Sequence, residues 1–188
     1  MRLLALKKFL MGHGIPVDQW GTGNAKTLEQ LFQETEEGET ALDTKDGILV
    51  RTVRILTAWV YHQVMPTGRL FLVEDRQELS DGRVRRRGDF GGSITEKMKK
   101  DEVADLLALG RAMKEELGFA GAKWVSYMGT ILKVGDSFSY PGLPTMSVQT
   151  RFEVMILPDD FRPEGYVETQ DDKRTIFLWR KREVGDSE

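Results

Sequence analysis

The sequence predicts an α/β fold, more closely α+β: antiparallel hairpins, one central helix and further strands, preceded by a short helical extension. Three observations lead there. Val53, Ile55, Thr57, Trp59 and Tyr61 alternate along a run rich in β-branched and aromatic side chains, the pattern of one face of a long strand. Asp101 to Leu117 carries apolar residues at helical spacing and closes at Gly118. After it, residues 124–134, 148–157 and 175–179 are strand-like again. Elements in that order make a layered sandwich rather than a doubly wound parallel sheet.

The remaining elements follow from local signals. Residues 2–11 are helix-compatible and stop at Gly12 to Gly14. Residues 25–37 place Leu28, Leu31 and Phe32 on one side of a second short helix that Gly38 ends. That apolar side is expected to pack either on the sheet domain or, in a homodimer, on a second copy of the chain, since an exposed stripe is a liability. Gly21 to Thr27 invites comparison with a phosphate-binding loop. Ala25 stands where the motif has glycine and no strand precedes it, so a turn and helix start is expected, with Thr22 or Asn24 as the cap. Met65 to Gly68 reads as a turn, 69–73 as a strand, Asp81-Gly82 as a turn and 83–87 as a returning strand. Pro158 to Lys173 is an acidic loop. This divides the chain into a helical extension, 1–47, and one domain, 48–188.

Composition narrows the function. With 188 residues, 40% hydrophobic and 30% charged, the chain can bury a proper core. A net charge of −3 argues against general nucleic-acid binding, which draws its affinity from excess Lys and Arg. No stretch approaches the roughly 18 apolar residues of a membrane span, and Lys7 and Lys8 break the apolar start, so a cytoplasmic protein without membrane contact is expected. Cysteine is absent and there are two histidines, His13 and His62. Metal chemistry would therefore rest on carboxylates and favour Mg²⁺ or Mn²⁺ over zinc.

The informative segment runs from Gly91-Gly92 into the helix ending Arg111-Ala112-Met113-Lys114-Glu115-Glu116-Leu117-Gly118-Phe119. At 100° per residue, Val103, Leu106, Leu107, Gly110, Met113 and Leu117 fall within about 120° of arc, a candidate buried stripe. Arg111, Ala112, Glu115 and Glu116 share the other side, where neighbouring carboxylates can hold a hard cation. The same charges could equally form ordinary ion pairs on a solvated helix face. Arg83, Arg85, Arg86, Arg87, Lys97, Lys99 and Lys100 flank the Gly-Gly loop; they could grip phosphates or simply charge an exposed edge. Trp59, Tyr127 and Phe152 are expected in the core.

Arg111, Met113, Glu115, Glu116, Gly118 and Phe119, behind a Gly92 loop, resemble the second half of the Nudix hydrolase box, G-x5-E-x7-R-E-U-x-E-E-x-G-U with U aliphatic. The resemblance covers about residues 48–182. It implies an α/β/α sandwich with a mixed sheet, and hydrolysis of a pyrophosphate in a nucleotide or related small molecule with Mg²⁺ or Mn²⁺. By position it makes Glu115 and Glu116 metal ligands, Arg111 the orienting cation, and the Gly91 or Gly92 carbonyl a further ligand. Arg85 and Arg87 are the candidate substrate-binding residues. Two positions depart from the box. Ala112 stands at its first helix glutamate and Val103 at its earlier one, with Glu102 and Glu96 nearby. The far loop offers substitutes for the missing base in Asp159, Asp160, Glu164, Glu168, Asp171 and Asp172. The alternative function is a non-catalytic module of this fold that binds a nucleotide, a phosphorylated ligand or a protein.

Overall fold

The structure, a computed structural model, describes residues 2–23, 25–64, 68–86, 92–99, 105–118 and 124–181. In chain order these form α1 (Leu3–Gly12), α2 (Leu28–Glu36), β1 (Thr40–Lys45), β2 (Ile48–Val64), β3 (Gly68–Leu79), β4 (Val84–Arg85) and β5 (Ile94–Lys97). Then come α3 (Asp105–Leu117), β6 (Trp124–Asp136), β7 (Pro144–Ile156), β8 (Tyr166–Thr169) and β9 (Lys173–Lys181). Among the described residues the strands form one nine-stranded mixed sheet in the order β6-β7-β2-β3-β9-β8, with β1 and β5 on β2 and β4 on β3. This is the expected α+β architecture. Among the described residues, no helix is long and apolar enough to cross a membrane.

The chain forms two compact units. The first comprises Met1–Ile55, Lys97–Val103 and Thr130–Gln149; the second comprises Leu56–Glu96, Ala104–Gly129 and Thr150–Glu188. In the first, α1 and α2 bury Leu6, Leu10 and Leu31 with Ile15, Val17, Trp20, Leu49, Tyr140 and Leu143, and Leu28, Phe32 and Leu42 pack against this cluster. The apolar side of α2 is thus covered by its own unit. The helix starts at Leu28, three residues after the expected start. Its cap is Thr27, because Thr27 Oγ1 accepts from the Gln30 amide while the Gln30 side chain accepts from the Thr27 amide. Thr22 instead donates to the Gln19 carbonyl, and Asn24 lies outside the described residues. Gly142 has φ +78° and approaches Pro16 so closely that a Cβ would sit 2.6 Å from Pro16 Cδ, so no other residue fits there.

One ion cluster lies inside this unit. The buried Glu34 carboxylate receives Lys26 at 2.7 Å, Arg51 at 2.9 Å, Lys97 at 2.5 Å and the Thr40 hydroxyl at 3.3 Å. Burial alone would push this carboxyl up, but hydrogen bonds from Lys26 and Lys97 outweigh it and hold it down at about 2. Lys97, placed by sequence in a basic rim, is held here and also reaches Glu39 at 3.2 Å.

In the second unit, buried apolar residues come from β2 (Leu56, Ala58, Val60), β3 (Leu72), β5 (Ile94), α3, and β7 (Phe152, Val154, Ile156). Burial along β2 changes phase: Leu49, Arg51 and Val53 are buried in the first half, Leu56, Ala58 and Val60 in the second. The single alternating face expected from Val53 to Tyr61 is corrected accordingly, with Ile55 and Trp59 only half-buried. Tyr127 is also corrected, since it is 61% exposed, while Phe152 is buried as expected. On α3 the buried stripe is Ala108, Leu109, Ala112, Met113 and Leu117, whereas Leu106 and Leu107 are exposed. The expected stripe was anchored on Val103, which lies outside the described residues, and it discounted alanines, whose small side chains let a helix approach its neighbours closely.

Removing the Glu34 carboxylate leaves Arg51, with a side chain only 7% exposed, buried without its partner. Glu34→Ala is therefore expected to lose about 3–5 kcal/mol of stability in urea unfolding at pH 7. Because the folded-state value lies below the unfolded one, the wild-type contribution is fully present above about pH 4.5 and lost as pH falls toward 2. The variant should lack that part of the acid dependence.

Candidate active site

Register defines one face of the second unit. Directly opposed residues of antiparallel strands point to the same side. Arg85 on β4 opposes Gln77 on β3, Gln77 opposes Thr175 on β9, and Thr175 opposes Glu168 on β8. These four residues form one row across the sheet. In the next row Glu74 opposes Phe177, which opposes Tyr166. Glu74 and Gln77 are three apart and would ordinarily point to opposite faces. A β-bulge between Glu74 and Arg76 adds one residue and brings both to the same side, where Gln77 Nε2 donates to Glu74 Oε2 at 3.4 Å.

Helix α3 packs against β8 and brings Glu116 over this face. Glu116 is half-buried, and its carboxyl is pushed up to about 8, first by burial and then by Glu168, Glu96 and Glu74; Lys173 opposes the shift. Arg111 and Glu115 stand one turn apart beside it. Arg111 Nη1 donates to Glu96 Oε1 and to Glu115 Oε2, each at 3.0 Å. Glu96 on β5 therefore faces both Arg111 and Glu116. In the centre of the row Thr175 Oγ1 is buried with no hydrogen-bond partner among the described residues.

Strand β5 is seated by the two residues at its entry. Gly92 has φ +92°, and a Cβ there would meet Thr57 Cγ2 at 2.7 Å and the Ala58 carbonyl at 3.0 Å. Ser93 donates its amide to the Ala58 carbonyl at 2.8 Å. Its hydroxyl accepts from the Val60 amide at 2.8 Å and donates to the Leu72 carbonyl at 2.5 Å.

The predicted residues separate. Glu116 lies among the carboxylates; Glu115, with a side chain 58% exposed, is engaged by Arg111; Arg85 is exposed at the end of the row. Arg87, Gly91, Glu102 and Phe119 lie outside the described residues. Ala112 is not on the carboxylate side as expected. It is 1% exposed, in the core stripe with Met113. Of the far-loop acids, Glu168 acts on Glu116. The preceding loop is tied down by Tyr166 donating to the Asp160 carbonyl, Trp179 to the Arg162 carbonyl, and Phe161 stacking on His62. Glu74, Gln77 and Thr175 were not singled out from sequence, because a bulge leaves no local signal in a polar strand. Among the described residues no three His, Asp or Glu side chains stand close enough together to hold a metal ion as they are arranged.

No family model and no curated protein matches the sequence. Among solved structures, the chain is similar to a MutT/nudix family protein from Enterococcus faecalis, at 13% identity over 82% of this chain and 51% of that one, with a TM-score of 0.47. It is similar to the NUDIX domain of Shewanella oneidensis NrtR, solved with ADP ribose, at 10% identity over 69% and 73%, with a TM-score of 0.41. It is also similar to C. elegans Ap4A hydrolase, at 12% identity over 66% and 80%, with a TM-score of 0.37.

Two substitutions probe this geometry. Ala112→Glu would put an unpaired carboxylate into the core and is expected to destabilise by about 3 kcal/mol or more in thermal or urea unfolding. Glu116→Gln should act in the opposite sense as pH rises above the ordinary carboxylate range. The folded value of Glu116 lies above its unfolded one, so its contribution is present below about pH 4.5 and is lost as pH rises toward 8. The Gln variant should lack that decline and gain on the wild type between pH 5 and 8.

Proposed function

We propose that the chain is a Nudix-type, divalent-metal-dependent hydrolase acting on a pyrophosphate-linked substrate of the nucleoside-diphosphate kind. The observation that carries this is the crowding of Glu116 by Glu168, Glu96 and Glu74, which leaves a proton on Glu116 near neutrality. Such a group of carboxylates is costly by itself and is relieved by a cation. The donor set fits a hard ion of the Mg²⁺ or Mn²⁺ type, since every candidate ligand is an oxygen and the buried Thr175 hydroxyl adds an unused polar group. Glu116, with Glu96 and Glu74 acting on it, would hold such an ion, and a divalent cation held there would supply Lewis acidity toward the pyrophosphate oxygens.

The chain's own residues have distinct parts in this proposal. Arg111 holds Glu96 in place and keeps Glu115 turned outward, the orienting role that the box assigns to its arginine. Arg85 offers a bidentate contact for a substrate phosphate at the open end of the row. Glu168 comes from a strand outside the helix and can accept the proton of an attacking water, which replaces the function missing at Ala112.

A second reading is a binding module of the same fold, and the burial of Ala112 favours it. The helix turn that bears the box's first glutamate carries none here and has turned into the core.

A panel of dinucleoside polyphosphates and nucleoside-diphosphate sugars, assayed with Mn²⁺ or Mg²⁺ for nucleotide and phosphate release, decides between them. A hydrolase should show metal-dependent turnover that Glu116→Gln and Glu168→Gln each lower by about 10²-fold or more. It should also show a Mn²⁺-dependent rise in melting temperature that Glu116→Gln removes. Saturable ligand binding with turnover at background, metal present, assigns the binding module instead.

A further inference from the structure

In the first unit one loop, residues 137–143, holds an aromatic side chain out of the core. Ser137 and Tyr140 are buried, and Ser137 Oγ accepts from the Tyr140 amide at 3.0 Å. The Ser139 carbonyl accepts from the Lys26 amide at 2.8 Å, and the Pro141 carbonyl from the Trp20 indole at 2.9 Å. Gly142 lies against Pro16, and Leu143 returns to the core. Between these anchors Phe138 is 95% exposed, the most exposed large apolar side chain among the described residues. Single exposed apolar residues are ordinary on a surface, but here the neighbours on both sides are fixed, so the ring is presented at low ordering cost. The same unit carries an apolar groove of about 420 Å³. Its walls are Leu3 and Leu4 of α1, Val17 and Trp20 of the connecting segment, and Leu28 of α2. Knob and groove adjoin. Trp20, a wall of the groove, donates to the loop at Pro141, and Lys26, which holds Ser139, directly precedes Thr27 of the groove.

We propose that this face joins two copies of the chain, with Phe138 of each copy seated in the α1–α2 groove of the other. A two-fold interface must be self-complementary, so one patch has to carry both the projecting and the receiving part. Phe138 and the adjoining groove supply the two. Because Phe138 is almost wholly exposed, it does not fill the groove of its own copy. The groove volume falls in the range of small-molecule pockets and is ample for a phenyl ring. Lys7 and Asp18, also on the groove, pair at 2.8 Å, so the ring enters beside charges that already have partners, and Glu29 is exposed to water. An aromatic anchor in a pocket is the kind of contact that dominates interface energies. Phe138, with Leu4 at the groove 66% exposed, offers on the order of 300 Å² of apolar surface per copy. A standard interface buries about 800 Å² a side, little more than half of it apolar, so these anchors supply much of that apolar share and fit a reversible dimer of about micromolar affinity.

The test sediments the full chain over about 5–500 µM, which brackets a micromolar dissociation constant. A reversible monomer–dimer equilibrium is expected. Phe138→Ser and Leu4→Asp alter the two halves of the contact separately, and both replace exposed side chains, so each variant should keep the wild-type melting temperature. Each should weaken dimerisation by about tenfold or more. In ¹⁵N-correlated spectra, dilution of the wild type should move the amide signals of Phe138, Leu4 and Leu28 together, and Phe138→Ser should hold them at their dilute positions. A chain that stays monomeric across the range overturns the second copy as the occupant and leaves the groove to another protein or a small apolar ligand. A dimer that both variants leave intact, or one whose dilution shifts fall away from Phe138 and the groove, overturns this interface.

Discussion

One extra residue in β3 organises the second unit. Without the bulge at Asp75, strict alternation would separate Glu74 from Gln77 and place them on opposite faces. With it, Glu74, Gln77, Thr175, Glu168 and Arg85 lie on one side of the sheet, and Asp75 is left to Arg76, Arg86 and Arg180 on the other. Bulges concentrate where a strand must aim side chains against its own pleat, and this one serves both faces at once.

The two units treat a partly buried glutamate in opposite ways. Glu34 is surrounded by Lys26, Arg51 and Lys97 and stays ionised far below the ordinary carboxylate range. Glu116 is surrounded mainly by other carboxylates and keeps its proton to about pH 8. The first arrangement is closed, since each charge has a partner within 3 Å, and it reads as structural. In the second, Lys173 offsets the neighbouring carboxylates only in part, and Arg111 is engaged by Glu96 and Glu115.

The fold class, β2, β7, β9 and the C-terminal half of α3 were legible because their signals are local: alternating β-branched runs, a helical stripe and a closing glycine. β1, β5 and β8 were not, being short and largely polar. The box pattern singles out Arg111, Glu115 and Glu116, and the Arg111–Glu115 pair follows from i,i+4 spacing. Ala112 was misplaced because helix phase was taken from leucines, whereas the packed stripe runs through alanines. Glu74, Gln77 and Thr175 came to light through strand register, which depends on a bulge that no neighbouring residue announces. The β2 phase change between Val53 and Leu56 was hidden because the strand packs first within one unit and then, from Leu56, within the other, which its own alternation does not announce.

The Ser93 hydroxyl sits at a fork in the sheet. The β2–β3 ladder runs from Val64–Gly68 to Tyr61–Phe71, and the next pair in that register is Val60 with Leu72. There Ser93 takes the Val60 amide and gives its proton to the Leu72 carbonyl, so a side chain stands where the zipper would continue. The Val60 amide is thereby a built-in gauge of local opening. Its exchange with deuterated solvent follows the departure of one serine from its notch, and it can be read apart from the unfolding of the strands on either side.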